Sequence, residues 1–415
     1  MTRRIRLFLI LLCFAVRLMG MSALAGEVEK QSKDRNPNRN RNVNRTRSLG
    51  ESRSESFSVS PGGTLDVSSE VGSILISVWE KNQVVVRVQG IDPDDLDQVR
   101  MTQLGSTVRV EYHSSGRRPR RMRFEVSIPS HFNLDLRTGG GDIELQGPLT
   151  GDLRGKTSGG DVLLADVSGR VDMSTSGGNI RTGKIQGEGY LKTSGGDIRV
   201  EMVGGNMDVY TSGGNISVGN VGKTLRAQTA GGDIEIGDVG GEATVSTAGG
   251  NIQVGKVSGR ATLKTAGGDI ELNGGSGIVS AITAGGNITL DNVSGSVEAR
   301  TVGGDVTAAL RPSGQGRSRL ITTGGEVTLY LPANAKATIE ARIRVQGYWK
   351  RGRRYNQDYE IRSDFKADSY EQDDRLREIR ATYTLNGGGE TIWLETVEGN
   401  IEIRKLESRP RQDER

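Results

Sequence analysis

An eighteen-residue period runs through the middle of this chain and restricts its fold more than any other feature. Gly-Gly pairs recur at that interval, starting at residues 159, 177, 195, 213, 231, 249, 267, 285 and 303. A half-period of nine residues is visible at Gly204-Gly205 and Gly240-Gly241. A fixed period of this length indicates repeated units, each stacked on the next, rather than a conventional globular core.

Within each repeat, aliphatic and polar residues alternate. Ile234 and Ile236 bracket the polar Glu235, and the same pattern recurs in the neighbouring repeats. Alternation with a period of two is typical of a short β-strand with one buried face, and the glycine content disfavours long helices. We therefore predict an all-β chain whose centre is a β-solenoid (β-helix- or β-roll-like) with 18-residue rungs. Each rung would hold two short strands joined by two Gly-rich turns.

Aspartate and asparagine alternate at the position that follows each Gly-Gly pair. This column contains Asp161, Asn179, Asp197, Asn215, Asp233, Asn251, Asp269, Asn287 and Asp305. In register these residues would lie one rung apart, and aspartate at every level would place carboxylates in mutual repulsion. We interpret the column as a structural ladder in which asparagine separates the charges and donates its amide to each carboxylate. Nine threonines, from residue 157 to residue 301, predict a second ladder across the turn.

The same aspartates permit another interpretation, in which the protein is a calcium-stiffened structural rod. Repeats that bind Ca²⁺ in this way read Gly-Gly-x-Gly-x-Asp. In this chain an Ile or Val takes the place of the third glycine, and no aspartate follows at the required spacing. We therefore predict no metal ligands and no cofactor, and we keep the calcium rod as an alternative.

The first 25 residues have the layout of a secretory signal peptide. Three arginines precede an apolar run from Leu7 to Val16, and Ala23 and Ala25 form a small-x-small cleavage site. The apolar run is too short for a permanent membrane anchor. We therefore expect an exported protein of the periplasm, cell envelope or extracellular space, with no transmembrane span after cleavage.

Cleavage would leave a mature chain without net charge and without cysteine. Residues 1–25 contain four arginines and no acid, so 51 of the 55 Lys+Arg would remain against 51 Asp+Glu, and Cys13 would be lost. A neutral chain offers no overall electrostatic attraction for nucleic acid. A chain without cysteine forms neither disulfides nor thiolate metal sites. We predict no nucleic-acid partner.

Composition and pattern divide the chain into six segments. They are a signal peptide (1–25), a disordered Arg/Asn-rich tether (26–56), an N-terminal β-rich module (57–137), the solenoid repeats (138–330), a C-terminal β-rich closing segment with a polar insertion (331–407) and a disordered tail (408–415). The tether has almost no apolar side chains with which to offset the entropy of ordering. The two β-rich segments are expected to cover the open ends of the solenoid.

Three segments resemble one known family. They read FSVSPGGTLDVSSEVGSILISVWEKNQVVV, VSIPSHFNLDLRTGGGDIEL and LNGGGETIWLETVEGNIEIRK, and they occur in this order within residues 57–406. Together they resemble the bacterial putative-adhesin β-solenoid family, a largely uncharacterised domain of unknown function. The resemblance implies a β-solenoid fold and supplies no catalytic residues.

The sequence offers few groups for catalysis. Its two histidines, His113 and His131, lie outside the repeats and have no metal-ligand spacing, and no Gly-x-Ser-x-Gly elbow occurs. Some β-solenoids cleave polysaccharides with clustered carboxylates, but the acids here follow the repeat, and Tyr190 and Tyr210 look isolated as sugar platforms. We predict that the protein is not an enzyme, and keep a carbohydrate-active enzyme acting on envelope polysaccharide as an alternative.

One segment of the closing region breaks the pattern with interleaved basic and aromatic residues. The candidate ligand-binding residues are Trp349, Lys350, Arg351, Arg353, Arg354 and Tyr355. Such residues suit an anionic glycan or a protein partner. The sequence therefore predicts an exported, non-enzymatic, adhesin-like interaction module of the envelope or surface, which contacts an anionic envelope glycan or a surface protein through this segment.

Overall fold

The computed structural model describes residues 51–91, 93–114, 122–312, 316–345, 359–373 and 377–408. In these ranges the chain forms two large sheets, sheet A and sheet B, built mainly from parallel strands. Two short 3₁₀-helices, Pro93–Gln98 and Leu406–Ser408, complete the regular structure of this part of the chain. The prediction of an all-β solenoid is confirmed.

The N-terminal region contains nine strands. They are β1 (Glu51–Ser58), β2 (Thr64–Ser69), β3 (Ser73–Trp79), β4 (Gln83–Ile91), β5 (Val99–Leu104), β6 (Thr107–Tyr112), β7 (Arg123–Pro129), β8 (Asn133–Thr138) and β9 (Ile143–Gln146). Strands β1, β3, β4, β7 and β9 belong to sheet A, and the other four belong to sheet B.

The repeats contain twenty strands, of which the odd-numbered lie in sheet A and the even-numbered in sheet B. They are β10 (Leu153–Lys156), β11 (Val162–Leu164), β12 (Val171–Ser174), β13 (Ile180–Ile185), β14 (Gly189–Lys192), β15 (Ile198–Val203), β16 (Met207–Tyr210), β17 (Ile216–Val221), β18 (Leu225–Gln228), β19 (Ile234–Ile236), β20 (Ala243–Ser246), β21 (Ile252–Val257), β22 (Ala261–Lys264), β23 (Ile270–Gly275), β24 (Val279–Ile282), β25 (Ile288–Val293), β26 (Val297–Arg300), β27 (Val306–Leu310), β28 (Arg317–Ile321) and β29 (Val327–Leu331).

The C-terminal region contains six strands. They are β30 (Ala337–Arg344), β31 (Ile361–Ser363), β32 (Ser369–Asp373), β33 (Glu378–Leu385), β34 (Glu390–Thr396) and β35 (Ile401–Lys405). Strands β31 and β35 extend sheet A, and the other four extend sheet B.

Equivalent residues of successive repeats pair with each other across the rungs. In sheet A, Ile198 pairs with Ile180 on one side and with Ile216 on the other. In sheet B, Leu191 pairs with Val209 of the next rung. The aliphatic side chains that alternate along each strand point between the sheets, where they are buried in one continuous core. The two-residue alternation of the sequence is thus the inside–outside alternation of the strands.

A column of buried threonine hydroxyls stabilises the Gly-Gly turns. The Oγ1 of Thr229 donates to the carbonyl of Gly214 in the preceding rung at 2.9 Å, and it accepts from the N–H of Gly232 at 3.4 Å. The same pair of bonds recurs at Thr193, Thr211 and the other threonines of the column. Each hydroxyl therefore satisfies polar backbone groups that the turn would otherwise bury without partners.

At both ends of the rod, one rung lies between rungs that are distant in sequence. The rung β2/β3 lies between β6/β7 and β8/β9, with parallel pairing on each side. Likewise, β34/β35 lies between β28/β29 and β30/β31. Antiparallel strands then cover the ends: β5 pairs with β6, β4 with β7, and β33 with β30.

The strands of the N-terminal and C-terminal regions therefore form rungs of the solenoid itself. Counted from β6/β7 to β30/β31, the described residues form 15 parallel rungs in one ladder. At a strand spacing near 4.8 Å, this ladder is about 65 Å long.

Two predicted boundaries need correction. The tether was expected to continue to residue 56, but Glu51–Ser58 forms β1, whose pairing with β4 satisfies its backbone. The tail was expected to begin at Ser408, which instead ends a 3₁₀-helix.

The other predicted segments at the termini are not described. The signal peptide (1–25), residues 26–50 of the predicted tether and residues 409–415 of the predicted tail lie outside the described ranges. In the part of the chain that the structure covers, no helix is both long enough and apolar enough to span a membrane.

Candidate functional site

The aspartate–asparagine column runs along the surface of the rod, immediately before sheet A, and most of its side chains are exposed. Each side-chain Oδ1 accepts a hydrogen bond from the backbone of the next rung. The N–H of Asn215 donates to Asp197 at 2.7 Å, and the N–H of Asp233 donates to Asn215 at 2.8 Å. The link continues along the column at 2.6–2.9 Å.

These hydrogen bonds differ from those expected from the sequence. We expected each asparagine amide to donate to a neighbouring carboxylate, but all nine residues are described and one such bond occurs among them, from Asn179 to Asp161 at 3.4 Å. Asp and Asn serve equally as acceptors of the backbone N–H because both carry an Oδ1. The alternation of Asp and Asn therefore increases the spacing of the charges from about 4.8 Å to about twice that distance. It does not change the number of hydrogen bonds from backbone N–H groups to Oδ1 atoms.

Placing a third carboxylate between two others is expected to weaken the rod at low ionic strength. In Asn215→Asp, the Oδ1 acceptor remains but the carboxylates of Asp197 and Asp233 acquire a like charge between them. We expect a lower melting temperature than wild type in dilute buffer, and a difference that shrinks in about 1 M salt, where the screening length is about 3 Å.

The matched control is Asp233→Asn, which keeps the acceptor and removes one charge. Its melting temperature is expected to equal or exceed that of wild type. If Asn215→Asp melted at the wild-type temperature in dilute buffer, charge spacing would not explain the alternation of Asp and Asn.

The ladder does not gather ligands for a metal ion. Among the described residues, no group of three or more His, Cys, Asp or Glu side chains could hold one. Since the Oδ1 atoms of the column already accept backbone hydrogen bonds, the calcium alternative has no ligand cluster to support it in this part of the chain.

The six candidate ligand-binding residues predicted from the sequence, from Trp349 to Tyr355, lie outside the described residues. The chain on either side is described: β30 ends at Arg344, and the chain is described again from Tyr359. Tyr359 packs against the core, and its burial, with the charge of Glu398, raises the pKa of its hydroxyl. This aromatic residue therefore belongs partly to the packing of the rod.

The arginines at the base of that segment are paired with acids. Arg380 contacts Glu378 at 2.6 Å, Arg342 also pairs with Glu378, and Arg344 contacts Glu395 at 2.9 Å. Glu378 is only 6% exposed. Burial lowers the pKa of Arg342, and the neighbouring positive charge of Arg344 lowers it further. In this part of sheet B, three arginines therefore share the carboxylates of two glutamates.

A groove in the middle of sheet B contains two aromatic rings in contact. The rings of Tyr190 on β14 and Tyr210 on β16 have centroids 5.9 Å apart and planes inclined at 49°. Lys192 pairs in register with Tyr210, which makes the two tyrosines diagonal neighbours on one face. The interpretation of Tyr190 and Tyr210 as isolated residues is therefore wrong. Their separation of twenty residues, one rung plus two, is the signal that could have revealed the contact.

This aromatic groove, defined by Tyr190, Tyr210, Lys192 and Gln228, has a volume of about 340 Å³. Hydroxyl-bearing residues of the adjoining turns complete it, namely Thr211, Ser212 and Thr229. None of its lining residues carries a carboxylate. Among the described residues, the Lys192 ammonium has no acidic partner. The groove thus combines half-buried aromatic rings, hydrogen-bonding groups and one uncompensated positive charge.

Solved structures from Bacteroides and Parabacteroides species are similar to this chain at low identity. A putative adhesin from Bacteroides fragilis is 15% identical, with 55% of this chain and 96% of that one covered at a TM-score of 0.33. A putative adhesin from Parabacteroides distasonis is 17% identical, with 63% and 97% covered and a TM-score of 0.33. A putative lipid binding protein from the same species is 13% identical, with 86% and 97% covered and a TM-score of 0.22.

The sequence itself matches a family model over most of its length. No protein of curated function matches the chain at a significant level. The model of the family described as Toastrack DUF4097 matches residues 27–241 and again 223–345. These matches cover the repeats and the N-terminal strands. The resemblance found in the sequence is confirmed, and the chain belongs to the Toastrack DUF4097 family.

Proposed function

We propose that this protein is an exported, non-enzymatic, adhesin-like rod that binds an anionic envelope polysaccharide in the aromatic groove of sheet B. The contact between Tyr190 and Tyr210 is the observation that carries the proposal. It places two aromatic faces side by side on a rigid sheet, where the apolar faces of sugar rings can stack on them. Pre-formed concave sites with a few convergent polar groups are typical of binding sites.

The charge of the groove favours an acidic sugar chain. Lys192 adds a positive charge beside the Tyr210 ring, and Gln228 on the next rung adds an amide. A carboxylated or sulfated sugar would compensate the ammonium, while its hydroxyls would bond to the exposed side chains of Ser212 and Gln228.

The groove favours binding over cleavage. Glycoside hydrolysis uses two carboxyl groups on either side of the scissile bond. Two acids flank Tyr190 in register, Asp172 and Asp208. Asp208 accepts a weak bond from the Tyr210 hydroxyl at 3.5 Å and lies 4.0 Å from Arg226, and Asp172 lies 3.8 Å from Arg154. Because neither carboxylate lines the groove, the carbohydrate-active enzyme remains the less favoured alternative.

The segment from Trp349 to Tyr355 is proposed as a second contact for the same polymer. Its basic and aromatic composition suits an acidic glycan. Export would follow from the predicted signal peptide, and the rod would then present the groove at the cell envelope.

Retention of the full chain on immobilised acidic and neutral polysaccharides tests the proposal. We expect wild type to bind acidic polymers, and the double variant Tyr190→Ala/Tyr210→Ala to lose binding by about tenfold or more, since stacked rings contribute about 1 kcal/mol each beyond burial. Tyr330→Ala is the matched control, because Tyr330 lies on sheet A. Eluted polymer is checked for shortening.

Each outcome separates the alternatives. If the tyrosine double variant bound polysaccharide as well as wild type, the groove would not be the binding site. If only the variant Arg351→Ser/Arg353→Ser/Arg354→Ser lost polysaccharide binding, the site would lie in the C-terminal segment. Shortened polymer would establish the enzyme alternative. A melting temperature lowered by EDTA would instead indicate the calcium rod.

A further inference from the structure

Two arginines occupy directly opposed positions on neighbouring strands, on the outer face of sheet A. Arg181 of β13 pairs in register with Arg199 of β15, so their backbones are one strand spacing apart, about 4.8 Å. Both side chains are exposed. In the described part of the chain, neither guanidinium has a hydrogen bond or an ion pair. Like charges at directly opposed positions destabilise a sheet unless another group compensates them.

Arginines at comparable positions of sheet B do have acidic partners. Arg300 contacts Glu298 at 2.9 Å, and Arg154 lies 3.8 Å from Asp172. Beside the arginine pair, the acid Glu201 contacts Lys184 at 3.5 Å and contacts neither arginine. The pair is thus an uncompensated concentration of positive charge on a rod whose exposed arginines are elsewhere often paired.

The arginine pair lies along a shallow groove of about 500 Å³. Leu163, which is 49% exposed, lies one rung before the pair, and Ser217 lies one rung after it. Gly183, Gly219 and the acid Glu201 line the same groove. The groove is on the sheet opposite the aromatic groove.

We propose that Arg181 and Arg199 bind a phosphoryl oxyanion. Each guanidinium presents a planar fork of N–H donors, which matches pairs of oxygen atoms. A carboxylate has two oxygens and is satisfied by one fork, whereas a phosphoryl group has enough oxygens to engage both forks at once. The bound anion would neutralise the stacked charges, and Leu163 would contact an apolar part of the same molecule. This site is independent of the polysaccharide groove.

Titration of the full chain with inorganic phosphate at fixed ionic strength tests the proposal. We expect saturable binding that weakens by about tenfold or more in Arg181→Gln/Arg199→Gln, because charged hydrogen bonds are lost. Arg154→Gln/Arg300→Gln removes the same two charges from paired sites, and it is expected to bind phosphate like wild type. Acetate is expected to bind more weakly than phosphate.

A second measurement does not depend on the ligand. Without phosphate and in dilute buffer, Arg199→Gln is expected to melt at a higher temperature than wild type, because it removes a like-charge contact. Equal loss of phosphate binding in the two double variants, or acetate binding as tight as phosphate binding, would overturn the proposal.

Two further arms identify the source of the phosphoryl group and separate this site from the aromatic groove. Binding to phosphatidylglycerol vesicles but not to phosphatidylcholine vesicles would indicate a lipid headgroup, and binding to soluble glycerol phosphate alone would indicate a free ester. Tyr190→Ala/Tyr210→Ala is expected to retain phosphate binding. A failure of the phosphate proposal can therefore be distinguished from a failure of the polysaccharide proposal.

Discussion

Replacing Gly232 with alanine is expected to destabilise the rod strongly. A Cβ at this position would lie 2.1 Å from the carbonyl oxygen of Gly214 in the preceding rung, and 2.5 Å from its carbonyl carbon. The same carbonyl accepts the hydrogen bond of Thr229, so the clash would also disturb the threonine ladder. Because both neighbours are backbone atoms, the rungs must separate. We expect a loss of about 3 kcal/mol in the free energy of unfolding, measured by urea denaturation.

The other glycine of the same pair provides the control. A Cβ at Gly231 would lie 3.5 Å from the carbonyl oxygen of Gly213, which is an ordinary contact. Gly231→Ala is therefore expected to be neutral, or to stabilise by up to about 1 kcal/mol by restricting the unfolded chain. Equal destabilisation by the two substitutions would contradict the close approach of successive turns.

Replacing Thr229 with valine is expected to have the second largest effect. The shape of the side chain is nearly unchanged, but the bonds to Gly214 and Gly232 are lost. Thr229 is 4% exposed, so water cannot readily replace the hydroxyl. Leaving these backbone groups without partners is expected to lower the free energy of unfolding by about 1–3 kcal/mol, again measured in urea.

Serine at the same position separates the hydroxyl from the methyl group. Thr229→Ser keeps both hydrogen bonds and loses one methyl group, which is expected to lower the free energy of unfolding by at most about 1 kcal/mol. If serine were as destabilising as valine, the column would act through packing and not through its hydrogen bonds.

Periodicity made the repeats predictable, because stacked rungs place equivalent residues in contact. The interval of eighteen residues is the register seen between Ile198 and Ile216. The order of the rungs at the two ends of the solenoid could not be predicted from the eighteen-residue period. Gly72-Ser73-Ile74 and Gly399-Asn400-Ile401 have the pattern of a repeat, but no interval of eighteen residues connects them to their neighbours. Their positions depend on long-range pairing.

The binding surfaces were harder to predict than the fold, because they arise between rungs. Tyr190 and Tyr210 look unrelated along the chain until the register makes them diagonal neighbours. Arg181 and Arg199 differ by one period and could have been found, but whether they have acidic partners depends on side-chain geometry. The alternation of Asp and Asn was visible in the sequence, whereas the backbone donor to each Oδ1 was not.

The inserted rung at the C-terminal end makes completion of the rod depend on completion of the chain. Strands β28 and β30 do not pair with each other; both pair with β34, whose residues are among the last 26 of the protein. A chain that stopped before Glu390 would leave a vacancy one strand wide, with unpaired backbone on both sides. An unfinished or clipped product would therefore expose unpaired strand edges to proteases, whereas a chain that includes β34 and β35 pairs these edges with its last rung.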